Sequence, residues 1–205
     1  MRTLKLTIAY DGTRYAGWQA QKRAKGQPTV QGTLERVLKQ ILQERVRIIG
    51  SGRTDAGVHA AGQVAHTRIR SSMAAARLRR SVNCLLPPDI AVLRAEEALR
   101  AFHARFDATR KRYRYRLFTG EVVPPFVRPY VHHVTVPLNL AVMRRELQAV
   151  KGRHDFRAFA RAASVRRTTV RSISAVQLAR TSGCHQGSRS GAWPTRAVSQ
   201  APPSG

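Results

Sequence analysis

LKLTIAYDG, residues 4–12, is the stretch on which the fold turns. Leu4, Leu6, Ile8 and Tyr10 alternate with Lys5, Thr7 and Ala9. Successive side chains of a strand point to opposite faces, so this alternation predicts a half-buried strand, closed by the turn pair Asp11-Gly12. The next regular segment has a different period. Val30, Leu34, Val37, Leu38, Ile41 and Leu42 recur at helical spacing, and Thr29 stands where an N-cap belongs. A flexible loop with Lys22, Arg23, Lys25, Gly26 and Pro28 joins the two. Further on, residues 46–49 read as a short strand, 64–69 as a strand, 73–84 as a helix rich in Ala and Arg, and 90–93 as a short strand after Pro87-Pro88-Asp89. The order strand, helix, strand, strand, helix, strand is the split βαβ, ferredoxin- or RRM-like arrangement. It predicts an α+β fold with two helices on one face of a mainly antiparallel sheet, and the other face free to bind.

A second unit begins near residue 108. In ATRKRYRYRLF, residues 108–118, a strand places Lys111, Tyr113, Tyr115 and Leu117 on one face and Arg110, Arg112, Arg114 and Arg116 on the other. Four arginines cannot be buried without partners, so one face meets water or phosphate. The aromatic face either packs into a core or stacks on bases. Residues 130–136 and 168–178 read as strands. Leu140, Met143, Leu147 and Val150 give a helix stopped by Gly152. From about Arg180 the chain is rich in Ser, Gly, Pro and Ala, without period or acidic residue, and is expected to be disordered. The expected organisation is residues 1–105, a partial second half over 106–179, and a tail over 180–205.

The chain carries 37 Lys and Arg against 11 Asp and Glu, a formal net charge of +26. Apolar content of 42% and charged content of 23% belong to a globular protein and exclude wholesale disorder. The charge predicts a polyanionic partner, most often nucleic acid, with solubility or an acidic membrane surface as the plainer explanations. Arg180, Arg189 and Arg196 are the only charged residues from position 180 onward, so the basic character belongs to the folded part. Cys84, expected in a helix core, and Cys184, in the tail, are too few for a disulfide framework or a zinc site, which fits a reducing cytoplasm. No signal peptide is expected from MRTLKLTIAY, and no stretch approaches the ~20 apolar residues of a membrane span.

Against this charge, one acidic residue lies between Glu44 and Asp89. It is Asp55, inside GSGRTDAGVHAAGQVAH, residues 50–66. A carboxylate on a phosphate-binding surface repels the ligand, so its presence calls for a reason. Arg53 is placed to pair with it and hold it ionised. Gly50, Gly52 and Gly57 permit a tight loop with backbone close to a substrate. An oriented carboxylate there can serve as nucleophile, general base or metal ligand. Two-metal nuclease or polymerase chemistry needs several carboxylates, and none is near in sequence. His59 and His66, seven apart with no Cys partner, are a poor zinc signal. His103, His132, His133 and His154 are scattered and His185 is in the tail; all are expected to be structural. Covalent catalysis by a single Asp therefore stands beside the plainer reading, an Asp that hydrogen-bonds its own turn.

GRTDAGVHAAGQVAH strongly resembles the signature loop of the tRNA pseudouridine synthase A (TruA) family. The likeness extends in order along the chain. YDGTRYAGWQAQ, residues 10–21, resembles the family's YDG...GWQ start, and VQGTLERVL its first helix. VNCLLPPDIAV, FHARFDATRKRYRYRLF and HDFRAF resemble three later family segments, giving coverage from residue 3 to about 178. The resemblance implies the pseudouridine synthase fold. It also implies isomerisation of uridine to pseudouridine in the anticodon arm of tRNA, at positions 38 to 40, with no cofactor or metal. By it Asp55 is the nucleophile, attacking C1′ of the ribose or C6 of uracil. Tyr113 matches the tyrosine that packs on the target uracil, and Arg53 the residue that helps expel the base and fills its place. Arg110, Arg112 and Arg114 are candidates for holding phosphates. The implied partners are tRNA and a second copy in a homodimer, in the cytoplasm.

Family members continue with further strands, a helix, and a basic residue that pairs with the catalytic Asp. No such segment is found after Leu178, where the low-complexity tail begins. An incomplete second α/β unit with exposed apolar surface is therefore expected, and a frameshifted or truncated reading frame is the expected origin of the tail composition. The alternative function is an RNA-binding remnant of such an enzyme, impaired in catalysis.

Overall fold

The computed structural model describes residues 1–20, 26–160 and 168–181. The expectations for Lys22, Arg23 and Lys25, and for the tail from residue 182 with Cys184 and His185, lie outside the described residues. The chain divides into two compact units. The first is Met1–Arg114, and the second begins at Tyr115.

The first unit runs β1 (Arg2–Tyr10), α1 (Val30–Leu42), β2 (Ile48–Gly50), β3 (Ala60–Ile69), α2 (Ala75–Leu85) and β4 (Ile90–Ala98). The sheet order is β2-β3-β1-β4, and every neighbouring pair is antiparallel. This is the split βαβ order that the alternation predicts, in an α+β unit. Leu4, Leu6, Ile8 and Tyr10 are all buried, as one face of β1. They form a single core with Val30, Leu34, Val37 and Leu38 of α1 and Leu78 and Val82 of α2, so both helices cover that face.

Local chemistry fixes each helix. The Thr29 hydroxyl accepts from the Gly32 N–H at 3.2 Å and caps α1, while Gln43 closes it in the left-handed region. Glu35 Oε1 accepts from Ile48 N at 2.8 Å and ties α1 to β2. Asn83 exchanges two hydrogen bonds with the Val92 backbone and stitches α2 to β4. Cys84 is exposed, contrary to expectation, because Leu78 and Val82 define the buried stripe of α2 and position 84 falls on the opposite side. β4 runs on to Ala98, past the expected end at Leu93. Its polar residues still pair with β1, Lys5 opposite Glu96 and Leu4 opposite Glu97.

The strand expected over 108–118 forms only at Leu117–Phe118 (β5). Alternation sets which side chains share a face, but a strand exists by pairing, and residues 108–116 join no ladder among the described residues.

In the second unit β5 pairs in parallel with β6 (His132–His133). The strand expected from Tyr130 is preceded by a 3₁₀ turn, Arg128–Tyr130, in which Pro129 lacks an N–H for a ladder. Asn139 caps α3 (Leu140–Ala149) by accepting from Ala141 N and Val142 N. Gly152, expected to stop this helix, has φ +113° and opens β7 (Gly152–Asp155), which pairs antiparallel with β8 (Val170–Ile173). This unit is thinly packed. α3 buries no residue, Val123 is its one buried apolar side chain among the described residues, and Phe126 and Phe159 are exposed. Among the described residues no helix is long and apolar enough to cross a membrane.

Candidate active site

Asp55 lies in the first unit, between β2 and β3, in a tight turn. The Val58 N–H donates to the Asp55 backbone carbonyl at 3.2 Å, and Gly57 takes φ +76° at the third turn position, where a type II turn needs a residue free of Cβ strain. The turn is thus closed by backbone, and the carboxylate is left over. Asp11, Asp89, Asp107 and Asp155 each accept a hydrogen bond at a side-chain oxygen. The exposed Asp55 side chain has no such bond among the described residues, so the turn-forming role for its carboxylate is not seen.

A second loop, residues 11–19, holds this turn in place. The Trp18 N–H donates to Thr54 O at 3.0 Å, and the Gly57 N–H to Tyr15 O at 3.3 Å. The Tyr10 hydroxyl and Thr54 Oγ1 are 2.9 Å apart. Burial pushes the Tyr10 hydroxyl above its ordinary pKa, partly offset by Thr54, so it stays protonated near neutrality. The two backbones touch at glycines. A Cβ on Gly12 would stand 2.1 Å from Val58 O, and one on Gly17, whose φ is +89°, 2.5 Å from Thr54 O. Under the start of the loop, Gly50 lies over the Trp18 ring with no room for a side chain. Gln63 Nε2 donates to Gly52 O at 2.6 Å and binds the loop to β3.

On the other side, Lys111 Nζ donates to Ser51 O at 2.8 Å. This brings the stretch around Lys111, within the first unit, to the foot of the Asp55 loop. Tyr113 is 73% exposed two residues on, and Arg110, Arg112 and Arg114 are exposed. Arg53 is also exposed, and no ion pair joins it to Asp55 among the described residues, contrary to the expected pairing. Two residues apart on a loop that turns at Asp55, the two side chains do not meet.

The sequence of residues 6–107 matches the family described as tRNA pseudouridine synthase. A tRNA pseudouridine synthase A from Geobacter sulfurreducens is 46% identical over 87% of this chain and 72% of its own length. The chain belongs to the tRNA pseudouridine synthase family. A second relative of that name, from Oleidesulfovibrio alaskensis, is 49% identical over 86% of this chain and 66% of its own length. A third, from Acetivibrio thermocellus, is 43% identical over 88% and 72%. The chain spans about two thirds to three quarters of the length of these relatives.

In this synthase-family chain the histidines divide by environment. No group of three or more His, Cys, Asp or Glu able to hold a metal occurs among the described residues. His59 Nδ1 lies 3.0 Å from Asp11 Oδ1 and 3.2 Å from Gly12 N, bridging the two loops. His66 is buried in β3, where its Nδ1 accepts from Ala104 N at 3.1 Å and its ring sits 4.7 Å from that of His103. Burial first, and His103 second, hold His66 below its ordinary 6.5. The unfolded chain therefore binds a proton that the folded chain refuses. Stability contributed by neutral His66 is full above about pH 6.5 and is lost as pH falls below it, until the lowered folded value is reached. His66→Asn keeps an acceptor for Ala104 and removes the titration. In denaturant melts between about pH 7.5 and 5.5, it should lose less stability than the parent; equal losses would exclude this role.

Sequence reading missed the supporting cast: Tyr15, Trp18, Asp89 and Lys111. The YDG...GW segment read as a turn and a loop. Its glycines were the available signal that another backbone approaches closely.

Proposed function

We propose that this chain isomerises uridine to pseudouridine in the anticodon arm of tRNA, at positions 38 to 40, with Asp55 as the nucleophile. The observation that carries this reading is the Asp55 carboxylate itself, exposed on a backbone-fixed turn and without a side-chain hydrogen bond or ion pair among the described residues, on a strongly basic chain. The names of the relatives agree with it. A carboxylate oxygen of Asp55 bonds to C1′ of the ribose or C6 of uracil. The N1–C1′ bond breaks, the uracil turns in place, a C5–C1′ bond forms, and the bond to Asp55 breaks as its electron pair returns to the carboxylate. The C5 proton then leaves to solvent and N1 takes one up, so no oxidant, cofactor or energy source is consumed. Tyr113 stacks on the extruded base, Arg53 occupies its place, and Arg110, Arg112 and Arg114 contact phosphates. The exposed face of Tyr113 and the basic segment carrying it suit these roles. The enzyme acts in the cytoplasm as a homodimer.

The C5 proton supplies the test. Purified chain incubated with tRNA carrying C5-tritiated uridine should release tritium to water with multiple turnovers. The thinly packed second unit favours one other reading, the RNA-binding remnant. Tight tRNA binding without tritium release would select it.

A further inference from the structure

We propose that Asp89 is a positioning residue for the Asp55 loop, acting through residues 11–18. The inference rests on the proposed function only in its consequence for turnover. The anchoring is geometric.

Asp89 precedes β4 in a turn closed by Ile90 N donating to Pro87 O at 3.1 Å, far in sequence from both loops it would control. Its side chain is 13% exposed and is saturated by one segment. Oδ1 accepts from the Tyr15 hydroxyl at 2.6 Å. Oδ2 accepts from Arg14 Nε at 3.0 Å and Nη2 at 2.6 Å, a side-on guanidinium contact. The Asp89 carbonyl takes the Asp11 N–H at 2.9 Å. Three positions of one loop are thereby held by one residue.

That loop carries the Asp55 turn. Tyr15 offers its hydroxyl to Asp89 and its carbonyl to Gly57, so the same residue joins anchor and turn. Trp18 holds Thr54, and Gly12 and Gly17 leave no space between the two backbones. A shift of residues 11–18 cannot be absorbed at these contacts and must pass to residues 54–58. The Tyr15 ring is buried, and burial and Asp89 together raise the hydroxyl far above its ordinary pKa. The Tyr15 proton is therefore in place throughout the neutral range. Placement of a reacting group matters steeply, since about 1 Å of error can cost on the order of a hundredfold in rate.

The test uses the full chain with Asp89→Asn, and with Tyr15→Phe as the milder variant that keeps the ring in the core. Amide hydrogen exchange is followed at Trp18 and Gly57, which bridge the loops, and at Leu6 and Ala65, which pair inside the sheet. We expect exchange at the bridging amides to quicken at least tenfold and that at the sheet amides to stay within about twofold, a split set by local rather than global opening. With tRNA, kcat should fall about tenfold and KM change little. Exchange at Trp18 and Gly57 equal to that of the parent overturns the anchoring. Equal acceleration at all four amides also overturns it, by showing that Asp89 serves general stability. Exchange is read without substrate, so a parent chain that forms no pseudouridine defeats the functional reading and leaves this one to be decided by the amides.

Discussion

Asp55→Ala will lower pseudouridine formation by at least ~10³-fold, the scale on which loss of a covalent nucleophile is felt. The same variant will bind tRNA within about threefold of the parent, or slightly tighter, because one repulsive charge leaves a phosphate-binding surface. Its melting temperature will not move measurably, since the side chain is exposed and closes no hydrogen bond in the turn. The three measurements are tritium release, filter binding and a thermal melt. Turnover within tenfold of the parent rules Asp55 out as the nucleophile. Lost binding at unchanged turnover per bound tRNA would make it a contact residue instead. Asp55→Asn, nearly isosteric, should match Ala in rate, as charge and nucleophilicity vanish together.

The largest effect on stability will come from Trp18→Ala. Trp18 is 1% exposed, packs 6.0 Å from the Tyr10 ring, and lies beneath Gly50. Truncation leaves a cavity at the junction of β1, α1 and the two site loops. Removing a buried Trp costs about 3–5 kcal/mol, and in a unit of this size the melting temperature should fall by more than about 10 °C. The Trp18 backbone also accepts from Gln31 N and donates to Thr54 O, so the cavity opens beside the bonds that hold the Asp55 turn. Chemical denaturation of the parent and variant checks this. A loss under about 1 kcal/mol would show that the site loops collapse into the gap.

What could be read in advance was local. β1 betrayed itself by alternation, α1 by period and cap, and the Asp55 loop by its glycines and lone charge. These features need only a few neighbouring residues. The failures share a different cause. Residues 108–116 alternate as a strand should, yet no partner strand meets them among the described residues, and pairing is not written in a single segment. The neighbourhood of Cys84 suggests a core position, whereas the phase fixed by Leu78 and Val82 turns it outward. The support of the site was the least legible part. Gly12 meets Val58 and Tyr15 meets Asp89 across dozens of intervening residues, and no periodicity reports such a meeting. Sequence proximity suggests that Arg53 pairs with Asp55, but a turn separates neighbours as readily as it joins them.

The glycine contacts between residues 11–19 and 54–58 have a consequence for anyone recombining relatives. With Gly12 and Gly17 pressed on the carbonyls of Val58 and Thr54, neither loop can accept a bulkier residue or a changed length unless the other accommodates it. The two behave as one exchangeable cassette. Chimaeras that transplant both loops together, along with the residue at position 89, should inherit an intact turn, whereas those that divide the pair should not.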